Sequence, residues 1–193
     1  MPTKSTKSTK STAEKTTVKK APMKSPMKKT PAAKAKPKAA AAGKLQIGDK
    51  VPSFALADQS GATHALADHK GRKLLIYFYP KADTPGCTTQ SCSVRDARRD
   101  FAKQGVDVVG ISPDKSTAQQ KFDTKYSLGF PLLADTDHAV AESFGVWGEK
   151  SMYGRKYMGI VRSAFLIDEK GKITGAWYGV SPKDTVPGAL AAL

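Results

Sequence analysis

Two cysteines, Cys87 and Cys92, lie five positions apart in the segment ADTPGCTTQSCSV, residues 82–94, and the chain contains no others. Thr84 and Pro85 are residue types that begin helices, so we expect a helix with Cys87 in its first turn. Free backbone N–H groups and the positive end of the helix dipole favour a thiolate over a thiol at that place. Cys87 is therefore a candidate nucleophile, and an arginine from another strand could complete an electropositive pocket around it.

The spacing of the two cysteines restricts when they can form a disulfide. In one α-helix, residues five apart have Cα atoms about 8 to 9 Å from each other. A disulfide rarely spans more than about 7 Å between Cα atoms. If the segment is helical when reduced, the sulfurs can join only after its first turns unwind. This suits a cycle in which Cys87 is oxidised to a sulfenic acid and Cys92 then attacks it.

Other interpretations of the same residues stay open at this point. A cysteine pair in an amphipathic helix is often inert packing, and Thr84 at a helix start is often only a cap. Zinc is disfavoured because two cysteines supply half of a tetrahedral ligand set, and His64, His69 and His138 show no ligand spacing to them. A thioredoxin-like reductase would need C-x-x-C rather than this spacing.

Alternating apolar runs and amphipathic segments predict the elements that position the cysteines. Each run is short and bounded by turn residues, so we expect buried strands at 73–80, 106–112 and 130–135. Hairpins are predicted around 59–61 and 169–171. Helices are predicted at four places: at 85–104, after a capping box formed by Ser116 and Gln119, at 139–144 after an N-cap at Asp137, and over the last ten residues. The Gly- and aromatic-rich stretch 145–159 is expected to be irregular. Together these elements predict an α/β fold, a central mixed β-sheet flanked by helices. The cysteines would then follow a central strand, where ligand sites of such sheets concentrate.

The segment YPKADTPGCTTQSC, residues 79–92, resembles the peroxiredoxins of the bacterioferritin comigratory protein (Q type) family. The family motif P-x-x-x-(T/S)-x-x-C corresponds to Pro80, Thr84 and Cys87. The likeness begins at IGDKVPSFAL and continues through GVWGEKSMYGRKYMGIVRSAFLIDEKGKI, covering residues 45–193. It implies a thioredoxin-like fold and a thioredoxin-dependent thiol peroxidase.

The resemblance also implies a role for each site residue. Cys87 corresponds to the peroxidatic cysteine that attacks hydrogen peroxide or an organic hydroperoxide. Cys92 corresponds to the resolving cysteine of members that form an intramolecular disulfide, which thioredoxin reduces. Thr84 corresponds to the hydroxyl that binds the thiolate and the peroxide, Arg162 to the guanidinium that stabilises the thiolate and orients substrate, and Pro80 to a residue that shields the pocket.

No cofactor is expected: the resemblance requires no metal, flavin or nucleotide, and the chain has no Gly-rich phosphate loop. Trp147, Tyr153 and Tyr157 could line an apolar rim near the site, although packing in the core or in loops is the favoured interpretation.

Residues 1–44 form a separate region with thirteen lysines and one glutamate, a net charge of +12 out of +15 for the whole chain. Its few apolar side chains predict a disordered basic tail ahead of a domain at 45–193. The tail could bind DNA phosphates without sequence preference, solubilise the chain or target it. A DNA-associated protein whose domain is a scaffold or redox sensor is the alternative function.

The sequence also sets expectations for where the protein works. We expect neither a signal peptide nor a membrane span. We therefore expect a cytoplasmic protein, with nucleoid or nuclear association through the tail as a variant of that location. We also expect the protein to be a monomer.

Overall fold

The computed structural model describes residues 43–152 and 154–193. Residues 1–42, which hold most of the predicted basic tail, lie outside this part of the chain. The strands are β1 (Ala55–Ala57), β2 (Thr63–Ala65), β3 (Lys73–Phe78), β4 (Val106–Ser112), β5 (Leu132–Ala134), β6 (Trp147–Met152), β7 (Arg155–Ile160), β8 (Ser163–Ile167) and β9 (Ile173–Tyr178). The helices are α1 (Pro85–Lys103), α2 (Ser116–Tyr126), α3 (Ala139–Ser143) and α4 (Thr185–Ala191), with a 3-10 turn at Leu66–His69.

The central sheet has the strand order β5-β4-β3-β8-β9. β3 and β4 are parallel, as are β4 and β5, while β8 runs antiparallel to both β3 and β9. The prediction of a mixed sheet is therefore confirmed. β1 and β2 pair with each other as the first predicted hairpin.

Side chains alternate between the two sides of the sheet along β3, and those on both sides are buried, so both faces of the sheet are covered. Ile76 and Phe78 belong to a core cluster that also contains Phe144 and Phe165. Leu75 and Tyr77 face a second cluster that includes Cys87 and Phe101 of α1 and Ala189 of α4. The second face thus packs α1 and α4 against the strand that precedes the cysteines.

Two predicted helix caps are wrong. α2 begins at Ser116 with Lys115 as the N-cap residue and no side-chain cap. Gln119 is fully buried instead and donates to Ser112 Oγ at 3.0 Å and to the Leu133 carbonyl at 2.9 Å. A buried amide must satisfy its hydrogen bonds, so these tertiary partners replace the local cap.

At α3 the main capping carboxylate is Asp135, not Asp137. Asp135 accepts from the N–H groups of Val140 at 3.1 Å and Ala141 at 2.7 Å. Asp137 accepts only from Ala139, at 3.4 Å. Burial raises the pKa of Asp135, although the two backbone hydrogen bonds oppose that shift.

The stretch 145–159 is not irregular, which corrects the sequence-based expectation. β6 and β7 pair in antiparallel register from Trp147 opposite Ile160 to Met152 opposite Arg155. Gly154 occupies the turn at φ +76°, a conformation that favours glycine. This glycine turn joins the two strands into a hairpin, although the segment lacks the simple alternation of apolar and polar residues that is typical of strands. Within the described parts of the chain, no helix is long and apolar enough to cross a membrane.

Candidate active site

Cys87 lies in the first turn of α1, as predicted. Thr84 has extended backbone angles of φ −102° and ψ 152°, and Pro85 is the first helical residue. Proline suits this position because the first N–H groups of a helix have no intrahelical acceptor. Cys87 is only 1% exposed, so its sulfur is available only to a small reactant.

Arg162 reaches the sulfur from the position just before β8, the strand next to β3. β8 pairs with β3 so that Ser163 lies opposite Phe78, which brings the residue before β8 close to the end of β3. Arg162 Nη2 donates a hydrogen bond to Cys87 Sγ at 3.3 Å. The guanidinium stays positively charged and has further donors, so it can hold a thiolate and a second oxygen atom together.

The sequence analysis missed Gln90, which holds Arg162 in place. Gln90 is fully buried, and its Oε1 accepts a hydrogen bond from Arg162 Nη1. Its Nε2 donates to Thr185 Oγ1 of α4 at 2.9 Å. Gln90 is three residues after Cys87 and therefore on the same helix face, a signal that the spacing alone could have supplied.

A close backbone approach requires Gly86. A Cβ atom there would lie 3.2 Å from Arg162 Nη2 and 3.4 Å from Pro182 Cγ. Any side chain would therefore push against the guanidinium. The sequence alone does not show this contact, because Arg162 is distant from Gly86 in the chain.

The hydroxyl of Thr84 does not cap α1. Thr84 Oγ1 donates to the Lys81 carbonyl at 2.9 Å, within the loop that leads to Cys87. This bond uses the hydroxyl hydrogen of Thr84 and leaves the lone pairs of its oxygen free to accept a hydrogen bond. Pro80, at the start of the loop, is half-buried.

Two residues of this loop, Ala82 and Asp83, anchor it through hydrogen bonds that the sequence analysis missed. Asp83, at φ +55°, accepts from Lys125 Nζ at 2.9 Å and from Tyr126 Oη at 2.7 Å. The hydrogen bond from Lys125, more than that from Tyr126, lowers the pKa of Asp83. The N–H of Ala82 donates to Asp114 at 2.7 Å. The loop before Cys87 is thus tied to α2 and to the residues after β4.

Cys92 lies in the same continuous helix as Cys87, and both thiols are free. It is half-buried beside the second core cluster. The residue before it, Ser91, is hydrogen-bonded to Tyr77 Oη at 2.9 Å. Burial raises the pKa of Tyr77, so this phenol stays protonated. The two cysteines therefore share one helix, the arrangement in which the sulfurs cannot join.

The aromatic residues named from the sequence have different environments. Trp147 stacks on His138 with ring centroids 3.8 Å apart and packs against the first core cluster. Tyr157 is 43% exposed on β7. Tyr153 lies outside the described residues. Across residues 43–152 and 154–193, no three His, Cys, Asp or Glu side chains form a group that could hold a metal ion.

The chain was then compared with known proteins. Residues 47–176 match the AhpC/TSA family. The chain is 54% identical to Peroxiredoxin Bcp of Escherichia coli (strain K12) over 129 residues, 67% of this chain and 83% of that protein. It is 44% identical to Peroxiredoxin Bcp of Bacillus subtilis (strain 168) over 149 residues, 77% of this chain and 95% of that one.

A solved structure of the bacterioferritin comigratory protein of Xanthomonas campestris, described for its alkyl peroxide reduction activity and trapped intermediate/ligand complexes, is also similar. Its TM-score is 0.68 at 35% identity, covering 72% of this chain and 89% of that one. The structural similarity confirms the predicted thioredoxin-like fold.

Proposed function

The chain belongs to the peroxiredoxins of the AhpC/TSA family and is a thiol peroxidase; we propose that it reduces hydrogen peroxide and organic hydroperoxides through Cys87, Cys92 and thioredoxin. The observation that carries the proposal is the 3.3 Å hydrogen bond from Arg162 Nη2 to the buried Cys87 Sγ at a helix start. It supports a preorganised thiolate with a cation beside it.

In the first step the Cys87 thiolate attacks the terminal oxygen of the hydroperoxide. The S–O bond forms as the O–O bond breaks, giving a sulfenic acid and, once the leaving oxygen takes up a proton, water or an alcohol. Arg162 stabilises the negative charge that develops on the oxygens. Because the Thr84 hydroxyl donates to Lys81, its lone pairs accept the hydrogen of the incoming hydroperoxide. Pro80 shields the pocket from water.

In the second step the Cys92 thiol attacks the sulfenic sulfur, a disulfide forms and water leaves. Both cysteines occupy α1, so residues 85–92 must first unwind. The dithiol of thioredoxin then reduces the disulfide and returns both cysteines to thiols. Regeneration needs no second copy of the chain, which supports a monomeric enzyme.

The deciding experiment follows the mass and thiol content of the full chain after one equivalent of hydrogen peroxide. We expect the reduced protein to lose two hydrogen atoms and both free thiols. Cys87→Ser should not react, and Cys92→Ser should stop at a sulfenic acid that dimedone traps. Ser93→Ala, next to Cys92, is the matched control and should react as the wild type does. A Cys92→Ser variant that turns over with thioredoxin at the wild-type rate would contradict the resolving role.

We also propose that the basic region 1–44 contacts DNA without sequence preference, because its thirteen lysines can neutralise phosphates. If about 6 to 8 lysines engage DNA at once, the log-log salt slope of the binding constant should be roughly −5 to −7. A mobility-shift titration of the full chain against residues 45–193, at two salt concentrations, measures this slope. Equal affinities of the two proteins would remove the proposal.

A further inference from the structure

A cavity of about 460 Å³ opens at the end of the sheet where the central strand β3 begins. Its walls are the segment 50–54, the 3-10 turn at Leu66–His69 and the turn 168–171. A hydrogen bond of 3.0 Å from the N–H of Val51 to the Gly171 carbonyl joins two of these walls. The cavity is therefore framed by backbone that is held in place.

The cavity is separate from the cysteine site. It begins at Leu74 near the start of β3, while Cys87 follows the other end of that strand. At about 3.3 Å per residue, Leu74 and Phe78 lie roughly 13 Å apart, and the apolar lining of the cavity and Cys87 belong to the two different core clusters. A molecule in the cavity cannot place a peroxide on Cys87 by occupying the cavity itself.

The interior of the cavity is apolar. Val51, Phe54, Leu74 and Ile167 contribute to its lining, and each is at most 5% exposed. Its volume lies within the range of about 300 to 1,000 Å³ that small-molecule sites have. An aliphatic chain would suit this interior, because it buries apolar surface there and displaces no polar contact.

The rim is positively charged. Four cationic and two anionic side chains line the cavity, namely Lys50, Lys70, Arg72, Lys170, Asp168 and Glu169. Asp168 already accepts the N–H groups of Lys170 and Lys172 at 2.9 and 2.8 Å, and Arg72 already pairs with Asp107 at 2.8 Å. The three lysines form no ion pair with the residues that the structure describes. They leave the rim with an excess of available positive charge.

His69 is a further polar residue of the cavity lining. Its Nδ1 lies 2.9 Å from Asp107 Oδ2. Its Nε2 is buried and has no hydrogen-bond partner in the part of the chain that the structure describes. Because this nitrogen has almost no exposed surface and His69 also lines a neighbouring pocket with Asp107, the charge of the rim lysines carries the argument for an anionic head group.

We infer that this cavity binds a single-chain amphipathic anion, an unbranched aliphatic chain carrying one carboxylate or phosphate. The chain lies against Val51, Phe54 and Leu74. The head group lies among the three rim lysines. The inference is independent of the peroxidase proposal, because no residue of the cavity belongs to the cysteine site.

Isothermal titration calorimetry of the full chain with decanoate, decyl phosphate and decanol, each below its micelle concentration, tests the inference. We expect one saturable site for at least one of the two anions, at least tenfold tighter than for decanol. The anion that binds more tightly identifies the head group. Binding of decanol alone, or of neither anion, would overturn the proposal.

Two variants separate the cavity from non-specific binding to the basic region 1–44. Leu66→Trp fills the cavity and should weaken anion binding at least tenfold. The triple substitution of Lys50, Lys70 and Lys170 with Gln leaves the core intact and should weaken anion binding at least tenfold without changing decanol binding. Lys121→Gln, on the exposed side of α2, is the matched control. If the triple variant binds decanoate and decyl phosphate as the wild type does, the inference is wrong, whatever the fate of Leu66→Trp.

Discussion

Replacing Gln90 with leucine tests whether this buried side chain positions Arg162 for the attack on peroxide. Gln90 Oε1 accepts from Arg162 Nη1, and the neighbouring Nη2 donates to Cys87 Sγ at 3.3 Å. A hydrogen bond to a charged group contributes about 1.5 to 3 kcal/mol. If the whole of this contribution is felt in the transition state, the first oxidation should slow about 10- to 150-fold.

The fold should tolerate this change. Leucine is close to glutamine in size, and Gln90 is fully buried. Thr185 Oγ1 loses the donor at 2.9 Å but keeps its own contact with the Ser181 carbonyl at 3.5 Å. Arg162 Nη1 also loses its acceptor, so we expect the free energy of unfolding to fall by about 1.5 to 3 kcal/mol.

Thr185→Val is the matched control, because it breaks the same chain of hydrogen bonds on the other side of Gln90. It strands the buried Nε2 donor, which should lower the free energy of unfolding by about 1 to 3 kcal/mol. The bond between Gln90 and Arg162 survives, so the oxidation rate should change less than threefold. Both variants should therefore lose stability, but only Gln90→Leu should slow the first oxidation more than threefold.

Stopped-flow mixing of reduced full-length protein with excess hydrogen peroxide measures the rate of the first oxidation, and urea denaturation measures stability. The reasoning fails if Gln90→Leu reacts within threefold of the wild type. It fails equally if Thr185→Val is the slower of the two, since loss of rate would then follow loss of stability rather than loss of the guanidinium contact.

Three further predictions concern Thr84, α3 and the Asp58 turn. Thr84→Val, which has no hydroxyl oxygen to accept the peroxide hydrogen, should slow the first oxidation at least tenfold in the stopped-flow assay, whereas Thr84→Ser should stay within threefold. Asp135→Ala should lower the free energy of unfolding by about 1 to 2 kcal/mol in urea, while Asp137→Ala should change it by less than about 0.5 kcal/mol; equal losses would contradict the capping assignment. Burial raises the pKa of Asp58, but hydrogen bonds from Ser60, His64 and Ala62 outweigh it and hold the pKa below 3.8. This stabilisation is present above pH 3.8 and is lost as pH falls through the lower folded-state pKa, so Asp58→Asn should flatten acid unfolding in that window.

The sequence predicted the central elements because their local signals agree with their burial. The run at 73–80 contains β3 (Lys73–Phe78), and residues 74–78 are buried because both faces of that strand are covered. Thr84 and Pro85 begin α1 at the predicted place. β5 is only three residues long, against six predicted. Pro131 has no N–H to donate to a ladder, which limits the strand on its N-terminal side.

The parts that sequence reasoning missed depend on residues far apart in the chain. Gln90 and Thr185 are 95 positions apart, and only the packing of α4 against α1 brings them together. Gln119 resembled part of a local cap, yet its partners are Ser112 and the Leu133 carbonyl. A polar side chain that will be buried has the same local pattern as one that caps a helix, so spacing along the chain cannot separate the two.

The first turns of α1 must satisfy two opposed requirements, and their composition explains how they do so. Attack on peroxide needs them folded, since Cys87 then meets Arg162, whereas disulfide formation needs them unwound. Cys87 is the only buried hydrophobic residue of α1 before Val94. Unwinding residues 85–92 therefore exposes little apolar surface, and its cost lies mainly in hydrogen bonds such as that between Gln90 and Thr185. Because Val94 and Phe101 stay buried, the rest of the helix remains docked, and local opening does not need to become global unfolding.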